Sequence, residues 1–212
     1  MSSRSYNNGV QTLKPETVKK YIQTMNSKYK LPFVSVGSGN AKIEYEALSD
    51  DTTINWICVD PDPESFMFTD KIYINPQYKF VSSLIEKTTS QIVGNNILFL
   101  NWCEPNDSEY DFEAIQKLKP HGVLAIYERY KDSNGAAGGI KFHKLLDDIT
   151  NKLNNEYDIL FSTETYNDCY IVMPFNPIIT WFHNKSYTID VSDVIIESGI
   201  YVDNPSGGCC LM

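Results

Sequence analysis

The chain lacks any run of basic residues: its 212 residues carry 18 Lys and Arg against 27 Asp and Glu, a net charge of −9. Nucleic-acid surfaces depend on clustered Lys and Arg, so a nucleic-acid partner is not expected. No apolar stretch approaches the ~20 residues that cross a bilayer, and the opening MSSRSYNNGV has no apolar signal core, so the expected compartment is the cytoplasm. Cysteine is sparse, at 58, 103, 169, 209 and 210, with no C-x-x-C pair and no histidine at metal spacing. That excludes a recognisable zinc site and a disulfide framework. Cys58, Cys103 and Cys169 lie in or beside apolar runs and read as buried small hydrophobes. Internal repeats are also absent.

What is present is a globular composition: 42% hydrophobic residues, with 14 Tyr and 10 Phe. At this length it fills one sizeable core, whereas two domains would each be marginally small. Apolar residues at 18, 21, 22 and 25, behind Pro15, predict a helix ahead of the first strand. Strands are expected at 33–36, 54–60, 71–75, 97–101, 123–128, 157–163 and 169–175, and helices at 40–48, 80–93, 111–119 and 141–155. Alternating strands and helices imply parallel pairing through right-handed crossovers. The link between the last two strands is too short for a crossover, which makes that pair antiparallel. The β-like runs IITWF and TIDVSDVII further on have no assigned place. The resulting division is a domain over 1–175, an extension over 176–205 and a flexible tail over 206–212.

The segment FVSVGSGNAKIE, 33–44, places Gly37 and Gly39 where a strand runs into a helix. Glycines there accept positive φ and let a ligand approach the backbone. Asp60, 23 residues after Gly37 and at the end of the second strand, stands where an acid accepts hydrogen bonds from ribose hydroxyls. Both features point to an adenosine-type ligand. Dinucleotide sites usually complete the pattern with a third glycine, and Lys42 occupies that place. S-adenosylmethionine has no phosphate and does not need it.

The segments VSVGSGNA, ICVD, LFLNWCEP, LKPHGVLAIYE and FHKLL occur in the order and at about the spacings of the class I S-adenosylmethionine-dependent methyltransferases, and the chain resembles a methyltransferase-like group of that family over roughly residues 6–175. The resemblance implies a Rossmann-like α/β sheet, mostly parallel with an antiparallel last strand and helices on both faces. It also implies that Gly37, Ser38, Gly39 and Asp60 hold S-adenosylmethionine, with Asn101 and Trp102 bordering the adenine and the substrate. The chain departs from the family pattern at Ser35, where an acid usually orients the methionine end, at Ala41, usually a third glycine, and at Cys103-Glu104. Glu44 could supply the missing carboxylate, or it is a solvated or packing residue of its helix.

Methyl transfer needs chiefly alignment of the reacting atoms. The candidate proton acceptors are Glu104, Glu128 and His143; the two acids stand at the carboxyl edge of the sheet, where acids at one rim raise each other's pKa, or, read blandly, are ordinary rim acids. His143 beside Leu145 and Leu146 reads as structural. Trp102, Tyr127 and Tyr130 either stack an adenine or cage a methylated cation, or pack the core. The ending SGGCCLM resembles a prenylation box, with lipid expected on Cys209 and Cys210 and peripheral attachment to a membrane; the alternative is a tail with two exposed thiols. Three functions follow: methyl transfer to a small molecule or protein side chain, a degenerate methyltransferase-like binding module, and a nicotinamide-dependent oxidoreductase, against which Lys42 stands.

Overall fold

The computed structural model describes residues 13–39, 41–48, 54–60, 78–81, 93–103, 109–128, 137–164 and 177–187. Helix α1 (Pro15–Tyr29) begins on Pro15 and turns Val18, Tyr21, Ile22 and Met25 inward. It stops at Lys30, whose left-handed backbone returns an N–H to the Asn26 carbonyl. Strand β1 (Phe33–Val36) leads through the glycine turn into α2 (Lys42–Leu48), and β2 (Trp56–Val59) ends at Asp60. Strand β3 (Tyr78–Val81) is followed by β4 (Ile97–Asn101), α3 (Tyr110–Leu118), β5 (Gly122–Glu128) and α4 (Ile140–Thr150). The chain closes the sheet with β6 (Tyr157–Glu164) and β7 (Pro177–Asn184).

The seven strands form one sheet in the order β3-β2-β1-β4-β5-β7-β6. All are parallel except β7, which runs antiparallel to both neighbours. Burial on both faces explains why the strands read as continuous apolar runs. On one face Phe33, Trp56, Cys58, Phe99 and Trp181 pack with α1 and α2. On the other, Val34, Leu98, Val123 and Phe182 pack with Ala114, Ile115 and Leu118 of α3 and Phe142 and Leu146 of α4. The expected α/β sheet with helices on both faces is the observed one.

Three expectations are corrected. The helix placed from residue 80 is strand at 80–81, within β3. The helix placed over 141–155 ends at Thr150, because Lys152 adopts φ 58 and the Asn154 side chain accepts from the N–H groups of Glu156 and Tyr157, turning the chain into β6. The strand that pairs antiparallel with β6 is 177–184, so the boundary expected at 175 falls before the sheet is complete. That strand is seated by Gly122 on β5: a Cβ there would stand 2.9 Å from Trp181 Cζ3 and closer still to Cζ2 and Cη2. The fully buried indole therefore lies where no side chain projects. The expected strands at 71–75 and 169–175, the remainder of the helix at 82–92, Glu104, Tyr130, Cys169 and the tail with Cys209 and Cys210 lie outside the described residues. Among the described residues no helix is long and apolar enough to cross a membrane.

Candidate functional site

The carboxyl ends of β1, β2, β4 and β5 share one rim of the sheet, and the strand order reverses between β1 and β4. Ligands of open α/β sheets bind at such a switch point. Here the chain leaves β1 through a turn clamped to β2, with the N–H groups of Gly37 and Ser38 both donating to the Val59 carbonyl at 2.9 and 3.3 Å. Every second residue of the turn is left-handed: Gly37 at φ 68, Gly39 at 55 and Ala41 at 57. Two glycines carry this conformation cheaply and Ala41 carries it under strain.

Gly37 also departs from the expectation that its missing side chain leaves room for a ligand. A Cβ there would meet the Tyr110 ring, 2.7 Å from Cε2 and 2.8 Å from the hydroxyl, so the first residue of α3 packs on the glycine itself. Gly37 serves the tight turn and its contact with α3. The second half of the turn makes the contact with the end of β2.

In that second half, Gly39 donates its N–H to Asp60 Oδ2 at 2.7 Å, joining the turn to the acid at the end of β2. The Asp60 side chain is buried, and beside it the Ser38 hydroxyl is buried without a well-formed hydrogen bond. An orphaned hydroxyl costs free energy unless something bonds to it, and a polar ligand lying along the turn would satisfy it. Gly37, Ser38, Gly39 and Asp60 are thus brought together.

Below the turn, Ser35 faces the α2 layer and donates its hydroxyl hydrogen to Glu44 Oε1. Both are buried, Ser35 at 1% exposure and Glu44 at 2%. Burial pushes the Glu44 carboxyl up to about 7, the Ser35 hydrogen bond pulls it partly back, and the negative charge of Asp60 adds to the rise. The same burial, with Glu44 and Asp60 nearby, holds the Cys58 thiol in its protonated form. A carboxyl from α2 is thus buried against Ser35 of β1.

Across the switch point, Asn101 closes β4 and Trp102 follows with φ 53, its N–H donating to the Ile126 carbonyl at 2.8 Å. Among the described residues, the other left-handed ones that are not glycine, Lys30, Lys119 and Lys152, all follow helix ends. Ala41 and Trp102 have no such reason, and both stand on this rim, where strained backbone tends to mark function. Glu128 ends β5 on the same rim, partly buried. Its expected companion Glu104 lies outside the described residues.

Two candidates are structural. Tyr127 is buried, donates to or accepts from Thr180 at 3.0 Å and packs edge-on against Phe142, so it belongs to the core and not to an aromatic cage. His143 Nε2 is engaged with the Ala137 carbonyl at 3.0 Å. The sequence reading missed Tyr110 and Asp111. Asp111 is 1% exposed and accepts from the N–H groups of Phe112 and Gly139, both at 2.7 Å. It ties the start of α3 to the start of α4, while Gly138 N–H donates to the Cys103 carbonyl at 2.9 Å. An acid in a first helical turn looks in sequence like ordinary dipole compensation, and nothing in its spacing announces this lock.

This sheet order, its single antiparallel strand and its helical layers define the class I methyltransferase fold. Solved structures agree. The chain matches the plantazolicin methyltransferase BpumL in complex with SAH at TM-score 0.55 and 9% identity, covering 80% of this chain and 83% of that one. It matches BpumL in complex with a pentazolic desmethylPZN analog and SAH at TM-score 0.54 and 11% identity, covering 80% and 82%. At such identity the likeness is one of fold. No family model matches the chain, and no curated protein matches its sequence.

Proposed function

We propose that this chain binds S-adenosylmethionine along the turn between β1 and α2 and acts as a methyltransferase on a small molecule or a protein side chain. The observation that carries the reading is the convergence of Asp60 and the Gly39 N–H, 2.7 Å apart, at the carboxyl edge of a methyltransferase-type sheet. When bound, the cofactor supplies an electrophilic methyl group on a sulfonium. Asp60 holds the ribose hydroxyls through its carboxylate, and the glycine turn, with the Ser38 hydroxyl, lies along the ligand without side-chain obstruction at Gly39. Asn101 and Trp102 border the adenine from the end of β4. Glu128, on the neighbouring strand end, takes a proton from the attacking group, a role that needs only a carboxylate within hydrogen-bond reach.

A second reading has its own observation: the Tyr110 ring rests on Gly37, as in a domain whose ligand site has been given over to packing and which persists as a binding or structural module. Calorimetric titration with S-adenosylmethionine separates the two. For the enzyme, wild type should bind and Asp60→Ala should bind more weakly by about 1.5–3 kcal/mol, the usual worth of a hydrogen bond to a charged group. Absence of binding by wild-type protein favours the module.

A further inference from the structure

We propose that Tyr110 is a gate on the cofactor turn: with its ring over Gly37 the crevice between β1 and β4 is shut, and S-adenosylmethionine binds when the side chain swings out into solvent. The proposal rests on the cofactor reading above and adds to it an autoinhibitory contact made by the chain itself.

The ring stands across the switch point. On one side it packs on Gly37, just past the end of β1, so closely that a Cβ there would lie 2.7 Å from Cε2 and 2.8 Å from the hydroxyl. On the other it is a hydrogen-bonding partner of the buried Cys103 thiol, two residues beyond β4. One phenol therefore spans the ends of the two strands between which the sheet order reverses, the crevice that ligands of open α/β sheets occupy.

The movable part is the side chain and not its backbone. The residues on either side are tied to α4: Glu109 Oε2 accepts the Lys141 N–H at 3.2 Å, and Asp111 Oδ2 accepts the Gly139 N–H at 2.7 Å. Tyr110 itself is only partly buried, which leaves the ring a way out to water. It is also the first residue of α3, where no preceding helical turn forbids a χ1 rotamer, as happens further along a helix. Leaving Cys103 gives up little, because a thiol is a weak hydrogen-bonding partner and the phenol finds water outside. The closed contact is also not a well-satisfied core: the Ser38 hydroxyl of the same turn stays buried without a well-formed hydrogen bond, a cost that a turn given over to packing has no reason to keep.

Calorimetric titration with S-adenosylmethionine reads the gate as a gain. A site open for only about a tenth of the time binds about tenfold more weakly than the same site held open. Tyr110→Ala should therefore bind about tenfold more tightly than wild type, and Tyr110→Phe, which keeps the ring and loses the bond to Cys103, should fall between the two. A ring that instead stacked on the ligand would give the opposite sign. Should Tyr110→Ala fail to fold, 3-fluorotyrosine at position 110 serves: saturating S-adenosylmethionine should raise the water exposure of the fluorine, read from its resonance shift between light and heavy water, whereas a ring covered in place would become less exposed. Tighter binding by Tyr110→Ala, including binding where wild type shows none, supports the gate. Equal or weaker binding by folded Tyr110→Ala, or a fluorine no more exposed in the saturated protein, overturns it and leaves the cofactor reading intact. Absence of binding by every folded protein of the three overturns both.

Discussion

Replacing Glu44 by glutamine tests the electrostatics of the site without any ligand. The amide would keep an oxygen to accept from Ser35 and imitates the protonated acid. In wild type the carboxyl titrates at about 7 when folded and at 4.5 when free in solution. An acid whose folded pKa is raised holds its proton more tightly folded than unfolded. Its contribution to stability is therefore fully present below 4.5 and is lost as pH rises through about 7. The side chain is 2% exposed, so solvent screening does not dilute the effect, and at 1.36 kcal/mol per pH unit the whole loss is about 3 kcal/mol. Urea unfolding of both proteins at pH 5 and pH 8 gives the measurement. The stability of wild type minus that of Glu44→Gln should drop by about 2–3 kcal/mol from the lower pH to the higher, with equal denaturant slopes. Taking the difference cancels Asp111, whose carboxyl burial also raises, and His121 and His183, whose imidazoles burial lowers. A difference that is the same at both pH values would refute the reasoning, since a solvated Glu44 has no such linkage.

Gly122→Ala should destabilise by about 3 kcal/mol in the same assay, because the new methyl enters the ring of the fully buried Trp181; a change below about 0.5 kcal/mol would mean that β7 is not seated this way. Gly37→Ala combines a left-handed backbone with contact against Tyr110 and should cost about 2–4 kcal/mol. In Tyr110→Ala the same glycine change should cost only the backbone share, about 1–2 kcal/mol, and an undiminished cost would show that Tyr110 does not lie on the turn.

Much of the frame can be read along the chain because each part is local. Continuous apolar runs such as ILFLN and GVLAIYE are what strands buried on both faces require, and the period of Val18, Ile22 and Met25 fixes the inner face of α1. The pair Gly37 and Gly39 announces a turn with positive φ, and the distance to Asp60 places an acid on the neighbouring strand. These features need only near neighbours or the spacing of one crossover unit.

The rest depends on partners far away in sequence. CYIVMPF and PIITWFHN are equally strand-like, and the second takes the place between β5 and β6 through Trp181 meeting a bare Gly122, 59 residues earlier. Glu44 has the pattern of any acid early in a helix until α2 packs on β1 and closes it against Ser35. Asp111 becomes a lock only when α4 brings the Gly139 N–H to it, and the space over Gly37 is taken by a tyrosine that no local rule connects to it. Sequence determined which residues could turn, bury and ionise. Tertiary packing decided which of them meet, and burial, which gives a carboxyl or a missing methyl group its energetic weight, exists only once those distant segments are in contact.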